Sequence, residues 1–166
     1  MKKQIFKIAL LAIVSLLSIS CGGGDSASPE PDTPPVTPPE TPVDNTFPKP
    51  QWESDVRIIE NKYEGSMVVC LSLDEPLLAA SASTDPLAVF CGSECRGVAY
   101  REDLGGGKYV WIAMVHGEDG DVLTFKYYAA ATRFMYTTTT TATFTKDTQY
   151  GNVDNPVTVP FTQVTK

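Results

Sequence analysis

The sequence predicts an all-β domain: a single antiparallel β-sandwich of seven or eight strands over residues 51–166. Three observations predict it. Beyond the first 20 residues no useful apolar run recurs at the helical period. Short segments rich in Val, Thr, Tyr and Phe recur instead, with Gly or Pro between them. The 116 residues from Gln51 onward suffice for one core and no more.

The strands follow in order. In SMVVCLSLD (66–74), Met67, Val69, Leu71 and Leu73 share one face at period two. PLAVFC (86–91) comes after a small-residue loop, and RGVAYRE (96–102) after a turn at Gly92–Ser93. The glycine loop LGGGKY leads into YVWIAMVH (109–116), apolar on both faces, which marks a central strand covered on both sides or exposing an aromatic face. GEDGD is a hairpin turn, with Asp119–Gly120 as its signal. VLTFKYY (122–128) is the partner strand and reads as half buried. RFMYTTTTTATFT holds two strands or one bent one. NPVTVPF carries two prolines, which suit an edge strand.

The N-terminal end speaks of location. Lys2, Lys3 and Lys7 precede an apolar run from Ile8 to Leu17, small residues follow, and Cys21 closes the stretch. These are the parts of a secretory signal, far shorter than the ~20 residues that span a bilayer. SISC resembles the lipobox of bacterial lipoproteins, which implies removal of residues 1–20 and acylation of Cys21. Acyl chains contribute ~0.8 kcal/mol per buried methylene, so two or three anchor a protein firmly. Residues 22–50 contain nine prolines in 29 positions and almost no large apolar side chains. Such a segment has too little to bury to offset the entropy of ordering, and repeated Pro makes it a semi-rigid stalk of roughly 90 Å. DSA at 25–27 resembles a short O-glycosylation motif of some Gram-negative anaerobes, with Ser26 as acceptor.

Charge excludes one class of partner. Removal of Lys2, Lys3 and Lys7 takes the formal charge from −7 to −10, and such a chain is repelled by nucleic acid and anionic lipid alike.

Residues 51–166 resemble a small β-sandwich domain of secreted and surface lipoproteins of Gram-negative anaerobes. The resemblance rests on Trp52, Tyr63, Ser66 and Met67, then AVFCGSECRG (88–97), GDVLTFKYY (120–128), and Gly151, Asp154 and Pro156. It implies an Ig-like or carbohydrate-module-like sandwich at the cell surface, working as an accessory module without catalysis. In that pattern only the Cys95 position is regularly Cys.

The cysteines admit three chemistries. Cys91 and Cys95 are spaced C-x-x-x-C without a helix, unlike the C-x-x-C of disulfide oxidoreductases. Cys70, Cys91, Cys95 and His116 lack zinc-ribbon spacing, so no metal is expected there. A disulfide remains. If the loop between their strands centres near residue 80, Cys70 lies opposite Cys91 with Cβ atoms ~4.5–5.5 Å apart. Cys95 is the alternative partner for Cys91. Glu94 and Arg96 are expected to satisfy local backbone or each other.

The other candidates are weaker. His116, the sole histidine, stands at a strand end beside acids, where a hydrolase would want a base. Glu118, Asp119 and Asp121 supply oxygens of the kind calcium takes, off the EF-hand spacing. No motif calls for a cofactor. Tyr100, Tyr109, Trp111, Tyr127 and Tyr128 fall on strands expected to be neighbours; pointing outward they would stack on sugar rings, pointing inward they fill the core. The uncharged run Thr137–Thr141 is an edge open to strand addition or the wet side of a strand. The expected function is a lipid-anchored outer-membrane protein that binds a polysaccharide or an envelope protein; the alternative is a structural subunit joined through an edge strand, and a small hydrolase comes third.

Overall fold

The computed structural model describes residues 43–59 and 61–166, so Cys21, Ser26 and most of the proline-rich stretch lie outside the described residues. The first strand, β1 (Gly65–Leu73), keeps the two-residue period of its sequence: Met67, Val69, Leu71 and Leu73 all enter the core. After a single helical turn, α2 (Leu77–Ala80), come β2 (Leu87–Cys91), β3 (Glu94–Ala99) and β4 (Arg101–Asp103). The chain continues through β5 (Tyr109–Gly117), β6 (Val122–Ala129) and β7 (Phe134–Thr143). It ends with three short pieces, β8 (Gln149–Tyr150), β9 (Val157–Val159) and β10 (Thr162–Gln163).

These strands form two five-stranded sheets. Sheet A runs β4-β5-β1-β8, with β9 also on β1; sheet B runs β10-β7-β6-β2-β3. Both contribute to one core, in which Val69, Leu71, Trp111 and Val115 of sheet A meet Leu87, Val89, Phe125 and Tyr127 of sheet B. The arrangement is mostly β and compatible with an all-β sandwich. It departs from the expected single antiparallel pattern, because β8 and β9 run parallel to β1. At one corner the chain passes from sheet B to sheet A at Tyr100, between β3 and β4. There β3 leans on β5 so closely that a Cβ on Gly97 would stand 2.6 Å from the Met114 carbonyl oxygen, which only glycine permits.

A helix that hydrophobic periodicity did not announce, α1 (Trp52–Ile59), lies over the outer face of sheet B. Trp52, Val56 and Ile59 do stand at i, i+4 and i+7, but eight residues fall short of the stretch over which that period can be told from chance. With Phe47 and Val56 it covers Ala88, Phe90, Cys95 and Tyr128, and the Trp52 and Phe90 rings meet edge to face at 5.9 Å. The packing starts ahead of residue 51. Phe47 N–H donates to the Arg133 carbonyl (2.8 Å), and Lys166 N–H to Asn45 Oδ1 (2.9 Å).

Candidate functional site

The expected aromatic platform is not on the surface. Trp111 and Tyr127 are 0% exposed and Tyr128 is 2% exposed. Trp111 and Tyr127 share the parity of the core residues on β5 and β6, so the pleat turns both rings inward, where they meet edge to face at 6.2 Å. Tyr128 points outward but lies beneath α1 and Phe47. Tyr100 is half-buried and donates to Glu53 Oε1 (2.6 Å), and that bond, ahead of burial, raises its pKa to about 12. Tyr109, also half-buried, carries the Arg101 guanidinium 4.3 Å from its ring centre.

The buried aromatics bring with them a group that sequence reasoning missed. Asp85 is 2% exposed, and its carboxylate accepts from Tyr127 Oη (2.6 Å), Ala82 N–H (2.9 Å) and Ala130 N–H (3.0 Å). Burial, then the bond to Asp85, pushes the Tyr127 phenol far above its ordinary range. Asp85 thus ties the loop after α2 to the end of β6. Its only sequence signal was an Asp–Pro step before a strand.

The expected disulfide is corrected. Cys70, Cys91 and Cys95 are all free thiols. β1 and β2 are consecutive but belong to different sheets; Cys70 pairs across to Ile112, and Cys91 to Leu123 and Glu94. The alternative Cys91–Cys95 bridge fails on parity: Cys91 packs on the core between the sheets, Cys95 on the outer side beneath α1. Burial pushes the Cys70 thiol up, and the Cys95 thiol up to about 12.

Glu94 and Arg96 do satisfy each other, within a larger cluster. Arg96 is 6% exposed; its Nη1 donates to the His116 carbonyl (3.1 Å) and lies 3.3 Å from Asp121 Oδ2. Its Nε is 2.7 Å from Glu94 Oε1, an ion pair whose N–H is not aligned for a hydrogen bond. Its guanidinium stacks 3.8 Å from the Tyr63 ring centre, while Tyr63 Oη (2.7 Å) and Lys62 Nζ (2.6 Å) both donate to Glu94. The arrangement fastens the segment after α1 to the β2–β3 hairpin and to the β5–β6 turn.

That turn accounts for the acids considered for calcium. Asp121 Oδ2 accepts from Glu118 N–H (3.1 Å) and faces Arg96, while Asp119 Oδ1 accepts from Lys146 N–H (2.6 Å). They shape the hairpin and do not converge; among the described residues no three His, Cys, Asp or Glu side chains gather as a metal would need. His116 lines an open groove with Val98, Met114 and, from α1, Glu53, Val56 and Arg57.

Two surfaces remain. The threonine run lies on β7, where β10 pairs only with Tyr136 and Thr137. Beyond it the register against β6 jumps, from Thr137 opposite Lys126 to Thr141 opposite Thr124. Inside this bulge Thr140 N–H turns to Thr138 Oγ1 (3.0 Å). A bulged edge with a self-satisfied donor resists strand addition. The outer face of sheet A is different. Ile112 and Met114 alternate along β5 and are 39% and 60% exposed. The exposed face of β5 is aliphatic, where the sequence left room for an aromatic one.

No protein-family model, no curated protein and no solved structure matches the chain.

Proposed function

We propose that the chain is a surface lipoprotein whose β-sandwich is a non-catalytic docking module for an envelope protein. One observation carries this reading: the outer face of sheet B has its cover in α1, while the outer face of sheet A presents Ile112 and Met114 to solvent. Contiguous exposed apolar patches mark interaction surfaces, and Met114 links Ile112 on β5 to Val56 and Val98 in the adjoining groove. The groove that Met114 shares with Val98, His116 and, on α1, Glu53, Val56 and Arg57 adds charge to that surface. Burial of the stacking candidates Trp111, Tyr127 and Tyr128 removes the support for a flat aromatic glycan platform. The bulge in β7 weakens the case for assembly through an edge strand.

The test is a photo-crosslinking side chain at position 114 of the full chain in living cells. The expected result is one discrete protein adduct, absent when the same group stands at position 122, which is 56% exposed on the β5–β6 hairpin. Identical adducts from both positions, or none from 114, would overturn the reading.

A further inference from the structure

A second site lies at the end of sheet A, between the glycine loop before β5 and the loop joining β8 to β9. The cleft there has a volume of about 260 Å³. Val153, 43% exposed, gives it apolar surface, Tyr109 an aromatic wall, and Ser72, Lys108 and Asp154 its polar groups. We propose that this cleft binds a single neutral pyranose ring at the end of a glycan.

The chemistry of the lining selects that class. A pyranose has an apolar C–H face and a rim of hydroxyls that both donate and accept. Tyr109 and Val153 match the face. Lys108 donates, Asp154 accepts and Ser72 does both, which matches the rim. One cation and one anion balance, so the site favours a neutral ligand over a phosphate or a carboxylate. They come from different loops and are not salt-bridged to each other among the described residues. Ser72 is 9% exposed, and among the described residues its hydroxyl makes only a long 3.4 Å donation to the Leu73 carbonyl, which leaves its lone pairs to accept.

The site is also held ready. Arg101 stacks on Tyr109 at 4.3 Å, and its Nη1 donates to the Ser81 carbonyl (2.5 Å) and to Ser81 Oγ (3.2 Å). A side chain fixed before binding loses little entropy on binding. The volume lies just under the ~300 Å³ at which ligand pockets begin, which suits one ring rather than several. Of the five residues expected to stack on sugars, Tyr109 is the one at this cleft. Sugar binding here does not depend on the docking face of β5.

The test uses the full chain in detergent with the methyl glycosides of glucose, galactose, mannose and N-acetylglucosamine, each followed by saturation-transfer NMR. At least one should bind, with the strongest saturation on its ring C–H protons. Tyr109→Ala should weaken it roughly tenfold, and Tyr109→Phe, which keeps the ring, by less than about twofold. Asp154→Ala, in an exposed loop, should weaken it several-fold and decides the matter if Tyr109→Ala does not fold. Ile112→Ser with Met114→Ser should leave it unchanged. No binding by any of the four, or binding that survives Asp154→Ala and a folded Tyr109→Ala, would overturn the assignment.

Discussion

Arg96 holds a full charge at 6% exposure, and a charge that deep must be compensated on several sides. Glu94, Asp121, the His116 carbonyl and the Tyr63 ring supply that compensation. Arg96→Ala leaves those partners facing a void and should cost about 3–5 kcal/mol, read as a lower urea midpoint. Arg96→Lys should recover only part of this, because an ammonium neither forks to two acceptors nor stacks as a plane. The same cluster sets a pH dependence. Glu94 is held below its ordinary 4.5, first by the Lys62 hydrogen bond, then by that of Tyr63, with Arg96 adding to both. A carboxyl whose folded pKa is depressed stabilises the fold fully above the unfolded value of 4.5, and that share is lost as pH falls through the lower folded value. The melting temperature should therefore drop below pH 4.5, and drop less steeply in Glu94→Gln; equal slopes would show that Glu94 carries none of it. The cysteines offer a separate check. All three thiols should titrate in denaturant without reductant, while in the native chain the half-buried Cys91 should react ahead of Cys70 and Cys95. A single thiol in denaturant would restore a disulfide.

At the scale of elements, α1 buries two side chains, Trp52 and Ile59, and Trp52 is the one that packs in the cluster on sheet B. Removing a buried Trp costs about 3–5 kcal/mol, so Trp52→Ala should loosen the helix from sheet B and let Cys95 react before global unfolding. Unchanged Cys95 labelling would mean that Phe47 and Val56 suffice to keep it in place. How far each element was legible depends on the range of its causes. The β1 face and the Asp119–Gly120 hairpin were readable because period two and a positive φ at Gly120 (94°) are local facts. The partition of strands between sheets was not: β1 and β2 are neighbours in the chain, yet β1 pairs with β5, in partners 40 (Leu71–Trp111) to 52 (Gly65–Gly117) positions apart, and the disulfide expectation failed with that pairing. Trp111 and Tyr127 were correctly placed on strands, but parity alone does not say which face is the core. Asp85 and the Lys62–Tyr63–Glu94–Arg96 cluster joined residues 31 to 45 positions apart, beyond any motif.

For the whole molecule, the proposed lipid anchor, stalk and docking face make a system in which reach matters. The anchor itself is checked by metabolic labelling: the chain should take up alkynyl palmitate, and Cys21→Ser should not. The stalk was expected to end at residue 50, but packing begins earlier. Phe47 N–H bonds to the Arg133 carbonyl, the Tyr128 hydroxyl donates to the Phe47 carbonyl (3.2 Å), and Lys166 Nζ donates to the Thr46 carbonyl and sits 4.9 Å from the Phe47 ring centre. Two deletions therefore separate reach from stability. Removing residues 29–42 takes 14 positions out of the proposed stalk, roughly 40 Å at the ~3.1 Å per residue of polyproline chain, and touches none of these contacts. Its melting temperature should match the parent, while crosslinking from position 114 falls if the partner stands well above the lipid. Removing residues 29–50 also takes away Phe47, bares the Tyr128 hydroxyl and frees the C-terminal Lys166, and should lower the melting temperature as a deleted core contact does. Equal stability of the two deletions would put the boundary of the folded unit back at residue 51. Unchanged crosslinking in the shorter one would mean that the partner binds close to the membrane.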